Sequence, residues 1–298
     1  MLKNRYKYYL LAIIVFSICC ITVVLQPNRF QKWNSLRSAD EYKASRNLVS
    51  INKLELESFV KKIPYKNASD YVYWVYPEGK YKRTILDGYG DCSTMSFGAS
   101  YYLIKNNIDF ELIHFLPIDS LFKSGGHVTL RVPYNYNGKS MVGIVDLAGG
   151  GLPSDGVKYL DVFDLKVMKP AFSLVRLNEK APEYYKNYYE RDYLKKVYFG
   201  FTPRSDVDRY FKFINKFYIS FGNERVEKLI YDGLAILVGK YYTIYVDNDF
   251  MAKFNNEIIL FKIFLYVIRG FLLVLPVCIL IELFNFILKK KSESFSVI

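Results

Sequence analysis

Gly88-Tyr89-Gly90-Asp91-Cys92-Ser93-Thr94-Met95 reads as a tight turn that opens a helix. Gly88 and Gly90 allow positive φ and close backbone approach. Asp91 is a good N-cap, able to accept from the free N–H groups of the first turn. Cys92 then takes the first helical position, and Cys92, Met95, Ala99, Tyr102 and Leu103 share one face, which points Cys92 inward. A thiol at a helix N-terminus feels the positive end of the macrodipole, which favours the nucleophilic thiolate. A lone cysteine is more often an inert small apolar side chain. Here the turn, together with what lies downstream, points to chemistry.

Downstream lies a hairpin. Gly126 to Val132 alternates, with Val128, Leu130 and Val132 on one face and His127, Thr129 and Arg131 on the other. Met141 to Leu147 is a second apolar run, and Asn137-Gly138 between them is a strong two-residue turn signal. Taken literally, that turn pairs Tyr136 with Lys139, Thr129 with Asp146 and His127 with Ala148. His127 and Asp146 become diagonal neighbours on one face, roughly 7–8 Å apart by backbone. A carboxylate there holds the imidazole tautomer while the other ring nitrogen faces a thiol, as in a Cys–His–Asp triad. Pro133 cannot donate to the ladder and is compatible with a bulge. A one-residue slip would set His127 and Asp146 on opposite faces. His114 is the rival base, but its strand, Phe110 to Leu116, places it on a core-like face with Phe110 and Leu112.

Gly-Asp-Cys at a helix start, Gly-His on a strand about 35 residues later and Val-Asp about 20 residues further resemble the transglutaminase-like superfamily. The resemblance covers roughly Tyr71 to Gly150. It implies an α+β, papain-like core in which a nucleophile helix packs on an antiparallel sheet. It also implies Cys92 as nucleophile, His127 as base and Asp146 as orienter. The implied chemistry is thiolate attack on an amide or peptide carbonyl, as in a cysteine peptidase or amidase. Acyl transfer to an amine by the same acyl-enzyme is the alternative. Candidate oxyanion donors are the Cys92 backbone N–H and, upstream, Tyr89 and Trp74. A non-catalytic protein that binds an envelope polymer or partner is the reading of a different class.

The rest of the chain sets organisation. Its 298 residues carry a net charge of +12 and include 28 Tyr and 23 Phe. With no nucleic-acid motif or Arg-rich block, the basic balance suits anionic lipid or an acidic polymer and excludes a nucleic-acid partner. No nucleotide motif and no metal-ligand spacing appears, so no cofactor and no metal are expected. The Gly-rich stretch Ala148 to Gly156 follows Asp146 and reads as a loop bordering the cleft, outside any phosphate-loop context.

The apolar runs at residues 8–25 and 270–288 each have the length of a transmembrane helix. Lys3, Arg5 and Lys7 flank the first and Lys289 to Lys291 the second, which by the positive-inside rule puts both termini in the cytoplasm. The expectation is a two-pass membrane protein of bacterial inner-membrane type, in contact with the lipid bilayer. Its catalytic domain would be extracytoplasmic, in the cell envelope, and would meet a protein, peptide or envelope-polymer substrate. Cys19, Cys20 and Cys278 would be membrane filler, leaving Cys92 without an intramolecular disulfide partner. The expected divisions are a cytoplasmic N-terminus at 1–7 and, after the first span, a linker with a short helix at 26–62. The transglutaminase-like domain takes 63–180 and a Tyr-rich helical extension 181–255. An interfacial lead-in at 256–269 precedes the second span, and a cytoplasmic tail occupies 289–298. In the extension, Glu183-Tyr184-Tyr185-Lys186-Asn187-Tyr188-Tyr189 reads as an amphipathic helix with a wet aromatic face; a membrane-interface anchor or a glycan- or peptide-binding platform are the alternatives.

Overall fold

Asn137 and Gly138 adopt φ of 50° and 75°, the doubly left-handed backbone that a two-residue hairpin turn requires. The turn joins β4 (His127–Tyr136) to β5 (Lys139–Val145). Their ladder runs from Tyr136 opposite Lys139 to Leu130 opposite Val145, and Pro133 sits within it opposite Val142 without a bulge. The same register, carried one step past the ladder, brings Asp146 beside Thr129. The computed structural model containing this hairpin describes residues 13–14, 16–18, 21, 35–42, 48–66, 72–118, 126–167 and 172–295.

Around the hairpin the described chain builds an α+β fold on a seven-stranded sheet. β3 (Glu111–Pro117) pairs antiparallel with β4, with Phe115 opposite His127. β8 (Val197–Pro203) pairs antiparallel with β3, and β9 (Ile244–Val246) with β8. Two short strands, β1 (Leu36–Ser38) and β2 (Ile51–Asn52), join parallel to β9 and β4. The sheet is therefore mixed, where a purely antiparallel one was expected. Strands of three and two residues are too short for a period-two pattern to register, so the segment read as a linker supplies them unannounced. A separate two-stranded ribbon pairs β6 (Gly151–Ser154) with β7 (Ser173–Arg176), so part of the stretch read as a Gly-rich loop is strand.

Helix α1 (Lys53–Lys61) follows β2, capped by Asn52. Helix α2 (Pro77–Tyr81) leads through a wide turn at Lys82–Leu86 to α3 (Cys92–Lys105). Met95, Ala99 and Leu103 of α3 are buried in the main core with Leu112, Leu130 and Val132 of the sheet. Burial of each of these Leu, Val and Met side chains contributes about 1.5–3 kcal/mol. The Ser96 hydroxyl, one turn beyond Cys92, donates to the Val128 carbonyl at 3.1 Å and fixes the helix along β4. A smaller helix, α4 (Val162–Lys166), caps a second core with Ile113, Phe115, Ile144 and Phe199.

The C-terminal part is more than a helical extension. A 3₁₀ segment at Glu183–Tyr189 and α5 (Arg191–Leu194) lead into β8, which lies between β9 and β3 inside the sheet. Then come α6 (Arg204–Phe217), α7 (Glu224–Leu237) and α8 (Asn248–Lys253).

The expectation of two flanking membrane spans, and with it a two-pass membrane localisation and lipid bilayer contact, is corrected. Among the described residues no helix is long and apolar enough to cross a membrane. Of the first expected span, 8–25, only residues 13–14, 16–18 and 21 are described. The second falls within α9 (Asn255–Phe295), continuous with the segment read as an interfacial lead-in. The leading part of α9 is a packing element of the domain. Ile258, Leu265 and Ile268 are buried, and the Arg269 guanidinium donates to the Leu237 carbonyl at 2.8 Å and the Ile236 carbonyl at 2.6 Å. An arginine spent on protein carbonyls, with buried apolar positions at helical spacing, is the mark of a helix face covered by protein. An apolar count along a sequence does not tell that face from one facing lipid.

Candidate active site

The turn before α3 has the backbone that its sequence requires. Gly88 and Gly90 adopt φ of 78° and 122°, and a Cβ at Gly90 would stand 2.5 Å from the Thr94 hydroxyl. Asp91 is the N-cap: its Oδ1 accepts from the Thr94 N–H and from the Thr94 hydroxyl, both at 2.8 Å. Cys92 is the first helical residue and is partly exposed. The Cys92 and Ser93 N–H groups at the start of this turn have no intrahelical acceptor, so they are available to an oxyanion at the cysteine.

The hairpin register delivers the partner pair. His127 Nε2 and Asp146 Oδ2 are 3.0 Å apart, and both side chains are 0% exposed. The carboxylate is held at its other oxygen by the Gly149 N–H, 2.9 Å from Oδ1. The loop after it is tied by reciprocal backbone hydrogen bonds between Asp146 and Gly151, at 2.9 and 3.0 Å. The Tyr65 hydroxyl donates to the Leu147 carbonyl and steadies the same loop from α1's side of the chain.

With Nε2 facing Asp146, Nδ1 is the free nitrogen. It is buried and makes no hydrogen bond of good geometry. Cys92 lies close enough to act on the ring both as a charge and as an acceptor. Burial alone would pull the imidazole pKa down, but the charges of Asp146 and Cys92 outweigh it and raise the value to about 10. The ring is therefore held as imidazolium at neutral pH, between a carboxylate and a sulfur. The structure thus brings Cys92, His127 and Asp146 into one constellation.

Other residues singled out from the sequence fall elsewhere. His114 is buried on the opposite face of β3 from Phe115, its Nε2 3.0 Å from the Thr202 hydroxyl, and burial depresses its pKa to about 4. It is a neutral core side chain. Tyr89 and Trp74 line an open groove of about 1100 Å³ with Tyr73, Arg83 and Arg225; neither Cys92 nor His127 lines it. The Arg83 guanidinium stacks on the Tyr89 ring at 3.7 Å. Both aromatics therefore border the approach to the Gly88–Cys92 turn, and their sequence proximity to Cys92 does not translate into a place in the triad.

The residues that the sequence reading missed come from the tyrosine run. The 3₁₀ segment Glu183–Tyr189 lies against His127. The Tyr188 ring stacks on the imidazole at 4.3 Å with planes 6° apart, Tyr185 is tilted at 5.5 Å and Tyr189 stands edge-on at 6.1 Å. Phe115 closes the remaining side, edge-on at 5.4 Å. The Tyr189 hydroxyl is buried beside Thr129 and Asp146 without a hydrogen bond of good geometry. The run is thus a wall of the site and not a wet helical face. Its density of tyrosines was the available signal; its distance from Cys92 along the chain hid the contact.

The chain matches no protein-family model, no curated protein and no solved structure.

Proposed function

We propose that this protein is a thiol enzyme of transglutaminase-like chemistry that cleaves an amide or peptide bond through a Cys92 acyl-enzyme. The observation that carries this reading is the pairing of His127 Nε2 with Asp146 Oδ2 at 3.0 Å, which leaves Nδ1 turned to a cysteine at a helix start. Such a pair is an ordered base and a nucleophile within reach of each other.

The steps follow from the groups. The Cys92 sulfur attacks the carbonyl carbon, and the developing oxyanion meets first-turn N–H groups of α3. The Nδ1 proton of the imidazolium passes to the leaving nitrogen as the C–N bond breaks, giving the acyl-enzyme and an amine. Neutral His127 then takes a proton from water, whose oxygen attacks the thioester. Sulfur leaves, the acid is released, and the imidazolium is restored. Asp146 keeps Nε2 protonated throughout, which fixes Nδ1 as the nitrogen that exchanges protons. The open groove bordered by Trp74 and Tyr89 beside the nucleophile turn gives a route for an extended substrate. The same acyl-enzyme with an amine in place of water would give acyl transfer.

The test is labelling of the full chain with a peptide-based electrophile that alkylates activated thiols. Cys92 should be the modified residue, and His127→Ala should slow its modification about a hundredfold or more, the usual range for loss of a positioned base. Modification of Cys278 in preference to Cys92, or an unchanged rate in His127→Ala, overturns the reading.

A further inference from the structure

We propose that Tyr188 is a positioning residue whose ring face stabilises the imidazolium form of His127 and so supports the reactivity of the Cys92 sulfur. This rests on the thiol-enzyme reading above and adds to it a function for the tyrosine run.

The geometry carries the inference. The two rings are stacked, with centroids 4.3 Å apart and planes 6° from parallel, so the imidazole lies over the tyrosine face. A cation over a tyrosine face is attracted by the ring quadrupole within about 6 Å of the centroid, and the attraction grows as water is excluded. His127 is fully buried. Phe115 and Tyr189 stand perpendicular to the imidazole. Among the described residues Tyr188 is the ring stacked on it in parallel.

Cys92 comes from the start of α3, with Asp91 capping that helix, and Asp146 follows β5. Tyr185, Tyr188 and Tyr189 come from the 3₁₀ segment, and Tyr193 of α5 stands edge-on to Tyr188 at 5.0 Å. None of these groups is a cation, and burial, the largest influence on the ring, acts against its protonation. A polarisable ring face in place of lost water offsets part of that penalty. Tyr188 is itself held on both sides: Tyr193 meets it edge-on, and Tyr185 tilts against it at 5.9 Å.

The test reads iodoacetamide alkylation of Cys92 against pH in the full chain, which needs no substrate. Wild type and Tyr188→Phe should give the same profile, because the face is kept and the hydroxyl is not used. Tyr188→Leu should lower the rate at pH 6 about tenfold and move the rise of the profile to higher pH, the equivalent of losing one desolvated cation–π contact. Tyr188→Trp, whose larger ring reaches outward from a partly exposed position, should hold or raise the pH 6 rate. Thermal melts confirm that each variant is folded. A Tyr188→Leu profile that overlays wild type while His127→Ala shifts it overturns this inference and leaves the thiol-enzyme reading standing. Equal loss in Tyr188→Phe and Tyr188→Leu also overturns it, since the hydroxyl would then be the active part. If Tyr188→Leu does not fold, a Tyr188→Trp rate well below that of wild type overturns it. A His127→Ala profile identical to wild type sinks the thiol-enzyme reading itself.

Discussion

Replacing Asp146 with alanine should cost more stability than catalytic logic alone demands, and the cost should depend on pH in a defined direction. The carboxylate is fully buried and meets two donors, His127 Nε2 at 3.0 Å and the Gly149 N–H at 2.9 Å. Removing it leaves the amide unpaired, at about 1–3 kcal/mol. It also leaves a buried imidazolium without its counter-charge, and breaking a buried pair in this way costs about 3–5 kcal/mol. The ring escapes part of that penalty by losing its proton, so a total of about 3–5 kcal/mol is expected near pH 6. For a domain of this size that lowers Tm by about 10 °C. His127 titrates at about 10 when folded against 6.5 for its ordinary value, so folding takes up a proton between those limits. The contribution is complete below pH 6.5 and is lost as the pH rises through about 10. The gap between wild type and Asp146→Ala should therefore be widest near pH 6 and narrow toward pH 10. Urea unfolding of both proteins across that range measures it. A gap under about 0.5 kcal/mol at pH 6, the size of an ordinary surface change, refutes the ion-pair account. So does a gap that stays constant to pH 10.

Three further outcomes follow from the same geometry. Cys92→Ala and His127→Ala should each abolish most turnover of an amide substrate, and the double variant should be little worse, since residues acting as a unit are non-additive; additive losses in single-turnover assays would separate them. His114→Gln should leave Cys92 alkylation unchanged. It should also flatten the acid limb of stability between pH 6.5 and about 4, because a buried neutral histidine makes the unfolded chain the better proton binder in that window. Gly90→Ala should lower Tm by several degrees, through a positive-φ cost of about 1–3 kcal/mol and a clash with the Thr94 hydroxyl that disturbs the Asp91 cap.

What the sequence made legible was local or set by register. Gly88, Gly90 and Asp91 write a turn and a cap in adjacent letters, so the start of α3 at Cys92 is readable to the residue. Asn137-Gly138 is a two-residue turn, and counting outward from it places Asp146 on the face of His127 because strand geometry repeats every two residues. Pro133 did not disturb that count. The parallel strands β1 and β2 were not legible, because two or three residues carry no period, and the place of β8 inside the sheet depends on pairing across some eighty residues of chain. The lead-in at 256–269 was misread for a related reason. Buried Leu265 and Ile268 and the carbonyl-bound Arg269 show protein covering a face that hydropathy assigns to the lipid boundary.

The tyrosine run shows most sharply where such reading stops. Glu183–Tyr189 has the composition of a surface aromatic face, and a helical wheel gathers its four tyrosines within about 140° of arc, which supports that assignment. The 3₁₀ geometry observed has about three residues per turn, which brings Tyr185 and Tyr188 onto one side and turns both toward His127. The contact thus depends on a helix type that sequence does not specify and on a sheet that is complete only when β8 has paired. A buried imidazolium must exchange water for something, and in this chain the exchange is made by rings from a segment that begins some fifty-five residues after the histidine. The sequence between them, strands and ribbon alike, therefore serves the site by returning the chain to it. An insertion that shifts Tyr188 by one residue should damage thiol reactivity while leaving the hairpin and the Cys92 helix intact.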